Sequence, residues 1–235
     1  MNEETNGNSI HSLVGRGFDL LVSDPPWPVK KIVRKVRPNQ VAALDYQTMT
    51  LDDIKAMPVA GCAADNAVLF LWTTHAFLRP AFDVMDAYGF RYQRTLTWDK
   101  ENGMCLFGFH HRTEFCLFGY RGKIEMYPRR KAIPTVFCGK SERHSAKPEE
   151  FYRMVEPLGV NRLDIFARRQ REGWVTIGNE ADGMDVKDSL ILLAQGKHPC
   201  YYVEKHGESR HVTASTRGAD TRSRTSPCCA GGATT

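Results

Sequence analysis

An apolar run that ends abruptly in a short acidic, proline-rich and aromatic motif is the feature of this sequence best suited to chemistry. The run covers residues 18–22 (FDLLV), and Asp24-Pro25-Pro26-Trp27 follows after one serine. Apolar runs of this length are typical of buried parallel strands. Because proline has no N–H for a sheet ladder, the strand must end at Asp24. The sequence therefore predicts a carboxylate, two rigid carbonyls and an indole ring at the carboxyl end of a strand, where open α/β sheets bind ligands.

These four residues suit the activation of an exocyclic amine on a nucleobase, a poor nucleophile because its lone pair is delocalised into the ring. The Asp24 carboxylate and the carbonyls around Pro25 and Pro26 would accept the two N–H hydrogens and so free the lone pair. The fixed φ of proline holds such carbonyls in place. Trp27 would stack on the base. For an isolated match of four residues, the alternative is a strand end, a proline turn and a core tryptophan.

Composition limits the class of protein. The chain has 235 residues, 42% hydrophobic and 25% charged, which is ordinary for one soluble globular domain. Seven cysteines, none in C-x-x-C spacing, favour reduced thiols and argue against a zinc site, so no metal is expected. The sequence shows neither a membrane-spanning apolar stretch nor a signal peptide, so a cytoplasmic setting is expected. A net charge of +5 is compatible with a polyanionic partner without establishing one.

Strands and helices alternate along the chain, which predicts an open, mostly parallel α/β sheet. Thr50 is suited to cap a short helix, Gly89 to end a longer one, and Pro148 to occupy the first turn of a third. The predicted strands are 18–22, 66–72, 91–98, 114–120, 161–167 and 174–177. We assign residues 1–182 to the main domain, 183–206 to a C-terminal helix with an extension, and 207–235 to a disordered tail poor in apolar residues.

Two clusters of basic residues and one histidine-containing segment are candidate substrate contacts. The first cluster directly follows the motif and contains Lys30, Lys31, Arg34, Lys35 and Arg37; the second contains Arg129, Arg130 and Lys131. Both could hold a phosphate backbone, and the alternative for each is a solvated charged loop or turn. Residues 99–112 are expected to form a loop over the site, with His111 and Arg112 as its candidate contacts.

Two charged residues stand at positions where a charge is costly. Lys147 lies at the start of a predicted helix, where a cation is disfavoured unless an anionic ligand holds it. Asp164 lies among apolar residues of a predicted strand, where a carboxylate must be paired or hydrogen-bonded. Ribose hydroxyls would satisfy Asp164, and the competing explanation is a structural pair with Arg162 or Arg168.

Eight segments in a fixed order, covering residues 18–180, resemble the adenine-N6 methyltransferase family. That family includes the catalytic subunit of the eukaryotic messenger-RNA adenosine methylase and has bacterial and phage members. The segments are DPPW at Asp24–Trp27, YQTMTLDDI at Tyr46–Ile54, LFLWTT at Leu69–Thr74, LTWDK at Leu96–Lys100, HRTEFCLFGYRGK at His111–Lys123, HSAKPEEFYRMVE at His144–Glu156, RLDIFAR at Arg162–Arg168 and GWVTIGNE at Gly173–Glu180.

The resemblance implies a Rossmann-like methyltransferase fold with a permuted motif order and S-adenosylmethionine as cofactor. It places Tyr46 near the substrate. Glu180 departs from the amide often found there. The cofactor-binding residues that the resemblance implies are Asp24, Lys147, Asp164, Arg168, Asn179 and Glu180.

The substrate is predicted to be adenine in DNA. The sequence shows no zinc module and no RNA-recognition motif, and the RNA-methylating relatives are larger and work with a second subunit. RNA remains the alternative substrate. An inactive scaffold or a plain nucleic-acid-binding protein is the alternative of another class, and intact Asp24–Trp27 together with Lys147 argues against both. The sequence does not decide between a monomer and a dimer.

Overall fold

The computed structural model describes residues 17–29, 47–106, 108–123, 132–140 and 146–197. The strands are β1 (Phe18–Ser23), β2 (Ala63–Thr73), β3 (Arg91–Leu106), β4 (Phe109–Arg121), β5 (Val136–Cys138), β6 (Arg162–Ile165) and β7 (Val175–Ile177). The α-helices are α1 (Leu51–Lys55), α2 (Leu78–Ala87), α3 (Glu149–Val155) and α4 (Val186–Ala194). Short 3₁₀ turns cover Val59–Gly61, His75–Phe77 and Glu156–Leu158.

The strands form one sheet in the order β5-β3-β4-β2-β1-β6-β7, which confirms the predicted α/β class. Four of the six neighbouring pairs are parallel, and β4 runs antiparallel to both of its neighbours. The chain builds the sheet on one side of β1 up to β5 and then adds β6 and β7 on the other side. The carboxyl end of β1 therefore lies where the strand order reverses, the position at which open α/β sheets leave a ligand crevice.

Alternating side chains give the sheet a core on each face. Leu21 points to the face covered by α1, α2 and α4, whereas Leu20 and Val22 point to the face covered by α3. Both clusters are closely packed, and Trp72 and Trp98 are among the largest fully buried side chains. This two-sided burial explains why the strand sequences read as nearly continuous apolar runs.

The local signals at the helix ends are largely confirmed. The Thr50 hydroxyl accepts a hydrogen bond from the Asp53 amide at 3.1 Å, and Gly89, with φ of +78°, follows α2 as expected for a residue that stops a helix. Pro148 differs slightly, because it is the N-cap of α3 rather than its first residue. That position leaves the missing N–H of proline without structural cost.

The predicted loop at residues 99–112 is wrong. Strands β3 and β4 continue through it and pair Met104 with His111 and Leu106 with Phe109, so the chain reverses between Leu106 and Phe109. An irregularity in register between Asp99 and Met104 contains Asn102-Gly103, the dipeptide that suggested a turn. The dipeptide therefore lies in a bulge of β3 and does not form a turn.

Helix α4 lies within residues 183–206, the segment for which the sequence predicts a C-terminal helix. Its Asp185 N-cap accepts from two backbone amides, and Leu190 and Leu193 are buried in the core cluster that also contains Ile54 and Cys62. Of the helices that the structure describes, none is long and apolar enough to cross a membrane. The predicted disordered tail at 207–235 lies outside the described residues.

The packing of α4 predicts a large difference between two adjacent substitutions. Leu190→Ala should lower the free energy of unfolding by about 2–5 kcal/mol, because Leu190 is fully buried. Ile191→Ala, at a position that is 40% exposed, should change it by less than about 1 kcal/mol. Urea unfolding followed by circular dichroism measures both. Equal effects would contradict the docking of α4 onto the domain.

Candidate active site

A cavity of about 520 Å³ lies at the carboxyl ends of the strands, beside the end of β1. This volume is within the range of small-molecule sites in proteins. The lining residues come from the motif after β1, from β4, from the segment before α3, from the loops after β6 and β7, and from α1 and α4. They include Asp24, Pro25, Pro26, Trp27, Met49, Asp53, Glu114, Lys147, Phe166, Arg168, Asn179, Glu180 and Asp185.

Backbone hydrogen bonds fix the two proline carbonyls of the motif. The Pro25 carbonyl accepts from the Trp27 amide at 2.8 Å, and the Pro26 carbonyl accepts from the Met49 amide at 2.9 Å. The Asp24 amide in turn donates to the carbonyl of Ile165 in β6 at 3.3 Å. Because a carbonyl oxygen has two lone pairs, each proline carbonyl keeps acceptor capacity for a further donor.

Trp27, which is predicted to stack on the base, is a buried residue. Its side chain is only 4% exposed, and its ring stacks on Phe77 with centroids 5.6 Å apart. Its indole N–H donates to the Trp72 carbonyl of β2 at 3.0 Å. Trp27 therefore anchors the motif against β2 and is also among the residues that line the cavity.

Lys147 lies between two carboxylates at the cavity wall. Its ammonium is 2.9 Å from an Asp24 carboxylate oxygen and 3.2 Å from one of Glu114. Glu114 also accepts from Lys100 at 3.0 Å. The expected anionic ligand is therefore not needed to explain a lysine before α3, since Asp24 and Glu114 hold its charge. The lysine side chain is only 9% exposed, which makes these pairs far less screened than surface ion pairs.

Burial and charge act in opposition within this cluster. Burial alone would lower the pKa of Lys147, but Asp24 and Glu114 outweigh it and raise that pKa. Burial would raise the pKa of Glu114, but Lys147 and Lys100 lower it below its usual value. For Asp24 burial prevails and raises the pKa, with Lys147 opposing the shift. Asp24 is therefore the member of the cluster whose negative charge is least compensated and most available to a donor on a ligand.

Asp164 lies on the other face of its strand and does not line the cavity. Its carboxylate accepts from the Tyr152 hydroxyl of α3 at 2.9 Å, and the Arg171 guanidinium lies 3.4 Å from the centre of that tyrosine ring. The hydrogen bond that a buried carboxylate requires is thus supplied by Tyr152. The structural alternative, a pair with Arg162 or Arg168, is not what the structure shows for Asp164. The ribose role of Asp164 gains no support from this arrangement.

The remaining predicted site residues divide into three groups. Arg168, Asn179 and Glu180 line the cavity, with a guanidinium-to-carboxylate distance of 3.9 Å between Arg168 and Glu180. His111 and Arg112 lie on the β3–β4 hairpin away from the cavity lining. Outside the described residues lie Tyr46, Lys30, Lys31, Arg34, Lys35, Arg37, Arg129, Arg130 and Lys131.

Arg112, which is predicted to contact the substrate, is paired within the protein. Its guanidinium forms a two-pronged interaction with Asp99, with Nε donating at 2.7 Å and Nη2 at 2.5 Å. Asp99 holds the pKa of Arg112 above its ordinary value through this hydrogen bond. The pair joins β3 to β4 where the hairpin begins. The interaction with Asp99 therefore competes with any contact between Arg112 and a nucleobase.

Glu114 is the site residue that sequence reasoning missed. It was visible as a single acid at the start of an apolar strand, within the segment HRTEFCLF. Asp53 and Asp185 also line the cavity but act as helix-end residues, which sequence signals assign to α1 and α4. Within the described ranges, no group of three or more His, Cys, Asp or Glu side chains is placed to hold a metal ion.

Fold and site together define an α/β protein with a charged ligand cavity at the reversal point of a Rossmann-like sheet. The family model MT-A70 matches residues 18–180, so the chain belongs to the MT-A70 family. This confirms the resemblance seen in the eight sequence segments.

Three relatives illustrate the breadth of the similarity. The N(6)-adenosine-methyltransferase MT-A70-like protein of Drosophila melanogaster is 27% identical over 195 residues, covering 77% of this chain and 30% of the relative. The N(6)-adenine-specific methyltransferase METTL4 of Mus musculus is 27% identical over 205 residues, covering 77% and 41%. The Type II methyltransferase M.MunI of Mycoplasma sp is 23% identical over 199 residues, covering 75% and 81%. This chain therefore spans less than half of the length of the two animal relatives.

The environment of Asp164 predicts a specific pH dependence of stability. Burial raises the pKa of Asp164 from 3.8 to about 7. The folded state therefore binds more protons than the unfolded state between these values, so the contribution of this group is full below pH 4 and is lost as the pH rises through 7. Asp164→Asn, which keeps an oxygen for the Tyr152 hydroxyl, should be more stable than the parent at pH 8 by on the order of 1–4 kcal/mol.

Thermal melting from pH 4 to pH 8 measures this difference. Asp86→Asn, at an exposed position on α2, is the matched control and should follow the parent at every pH. A stability difference between Asp164→Asn and the parent that does not grow with pH would show that Asp164 titrates normally.

Proposed function

We propose that this protein transfers a methyl group from S-adenosylmethionine to the N6 amine of adenine in DNA. The observation that carries the proposal is the position of Asp24, a partly compensated carboxylate beside two fixed proline carbonyls, at the wall of the cavity. An amine with two N–H hydrogens requires this pattern of adjacent acceptors. Membership of the MT-A70 family supports the same activity.

The cavity has the chemistry that S-adenosylmethionine requires. Its volume is sufficient for a ligand of this size, and its walls carry both acids and cations. Lys147 and Arg168 can meet the carboxylate of the ligand, Asp24 its ammonium, and Asn179 and Glu180 its hydroxyls. Phe166 adds an aromatic surface to the same wall. We assign cofactor binding to these residues. Asp164 is assigned to structural support, through its hydrogen bond with α3, rather than to direct contact with the cofactor.

In the proposed mechanism the protein prepares the amine. When bound, S-adenosylmethionine supplies a methyl group on a positively charged sulfur. Asp24 accepts one N–H of the amine and the carbonyls of Pro25 or Pro26 accept the other, which localises the lone pair on nitrogen. Formation of the new N–C bond would break the S–C bond, release the cofactor as its neutral thioether and require the nitrogen to lose one proton. Asp24, whose pKa is raised by burial, would accept that proton. Lys147 keeps Asp24 oriented throughout.

If the substrate is a duplex, the target adenine must be turned out of the stack to reach the cavity. The basic cluster that follows Trp27 and the one at Arg129–Lys131 would hold phosphates nearby. We favour DNA because the RNA-methylating relatives are larger than this chain, whereas the chain matches 81% of the length of the Type II methyltransferase of Mycoplasma sp. RNA remains the second candidate, since a similar protein of Pyricularia oryzae is named as an RNA methyltransferase.

A catalytically silent role is the candidate of another class. A similar protein of Xenopus tropicalis is named as a non-catalytic methyltransferase subunit, so family membership does not guarantee activity. Here the acceptor group, its lysine partner and the cavity are all present together. These features favour an active enzyme.

The test offers the purified protein labelled S-adenosylmethionine with double-stranded DNA, single-stranded DNA and RNA of matched sequence. Digestion to nucleosides and mass spectrometry should find N6-methyladenine in the DNA. Methylation of RNA alone would overturn the DNA assignment. Absence of transfer to all three would favour the silent role.

Removal of the Asp24 charge should suppress catalysis without loss of the fold. Asp24→Asn keeps the shape of the side chain but weakens the acceptor, and should reduce methyl transfer by about 10²–10³-fold. Asp83→Asn, at an exposed ion pair with Lys55, is the control and should keep parental activity and melting temperature. If Asp24→Asn transfers methyl groups within a few-fold of the parent, Asp24 is not the acceptor.

A further inference from the structure

The β3–β4 hairpin extends beyond the sheet on the side of the cavity. Strand β4 leaves β2 at Phe115, opposite Thr73, and β3 leaves β5 at Asp99, opposite Cys138. Beyond these points, among the described residues, β3 and β4 pair with each other as far as Leu106 and Phe109. We call residues 99–106 and 108–113 the projecting ribbon. At about 3.4 Å per residue, its tip lies roughly 17 Å from Glu114 at the cavity wall.

The base of the ribbon is fixed by several side-chain contacts. Arg112 donates hydrogen bonds to Asp99. His75, which follows β2, is hydrogen-bonded to Thr113 at 2.9 Å. Higher up, the His110 ring is hydrogen-bonded to the Gly103 carbonyl at 3.0 Å. These contacts give the ribbon a defined direction relative to the sheet.

Charged contacts also connect the ribbon to the catalytic motif. Lys100, at the base of the ribbon, pairs with Glu114 at 3.0 Å, and Glu114 holds Lys147, which pairs with Asp24. The cations of the ribbon base, Lys100 and Arg112, are thus already paired with protein carboxylates. The ribbon is therefore suited to contact bases rather than to neutralise phosphates.

The tip carries a large exposed aromatic side chain. Phe109 is 73% exposed, whereas Phe118, lower on β4, is buried. Gly108 precedes it with φ of +80°, a conformation that lets the chain reverse tightly. An exposed phenylalanine forgoes the free energy that burial of its ring would provide, and a partner that covers the ring would supply it.

We propose that the projecting ribbon enters the major groove of duplex DNA and that Phe109 contacts a base close to the target adenine. This inference deepens the proposed function and rests on it for the identity of the polymer. The major groove of B-form DNA admits a two-stranded β-ribbon, whereas the major groove of an RNA duplex is too deep and narrow for side chains. The ribbon thereby also favours DNA over duplex RNA. In the major groove an aromatic side chain contacts base edges, such as the thymine methyl group, and this contributes binding without added charge.

Fluorescence anisotropy with a random-sequence 30-base-pair DNA duplex tests this assignment, because it requires binding and not methyl transfer. Phe109→Ala should weaken binding by roughly fivefold or more. The dependence of affinity on salt should keep the slope of the parent, because no phosphate contact is lost. Phe109→Trp should retain parental affinity. Val160→Ala, at a residue that is 75% exposed on the other end of the sheet, is the matched control and should have no effect.

The outcomes separate this inference from the proposed function. Equal duplex affinity for Phe109→Ala and the parent, or absence of DNA binding by the parent, overturns the role of the ribbon. A loss of self-association in sedimentation with unchanged DNA binding would assign Phe109 to a protein interface and also overturn it. If Phe109→Ala weakens DNA binding while the parent transfers no methyl group, the ribbon is supported and the enzymatic proposal fails.

Discussion

A buried positive charge organises this structure. Lys147 cannot be removed from water without compensation, and it obtains compensation from Asp24 after β1 and Glu114 in β4. Three segments distant in sequence must therefore meet at one edge of the sheet. The same contacts hold Asp24 beside the proline carbonyls, so the interaction that satisfies the lysine also arranges the acceptors at the cavity wall.

The topology of the sheet supplies the rest of the geometry. Because β1 lies where the strand order reverses, the loops after β1, β6 and β7 surround one crevice from both sides. Trp27 anchors the motif to β2 through the hydrogen bond from its indole N–H to the Trp72 carbonyl. The tryptophan serves the site by holding the prolines rigid, whereas the open surface of the crevice is left for the ligand.

Apolar patterns and proline chemistry predicted the sheet class, the helices and the position of Asp24, because these depend on local sequence. The partners of Lys147 and Asp164 were not predictable, since Glu114 and Tyr152 meet them only after folding. The hairpin was mistaken for a loop because Asn102-Gly103 is a turn signal that pairing with β4 overrides. The contact of Trp27 with Phe77 was not predictable either, because Phe77 reaches the indole ring from a separate turn.

Calorimetric titration with S-adenosylmethionine tests the central claim, that the Lys147 cluster forms the cofactor site, most directly. The account predicts saturable binding of one molecule per chain. It also predicts weaker binding by Glu114→Gln, because Lys147 then loses one of the two carboxylates that hold it in place. Absence of saturable binding by the parent, or equal affinity of the parent and Glu114→Gln, would contradict it.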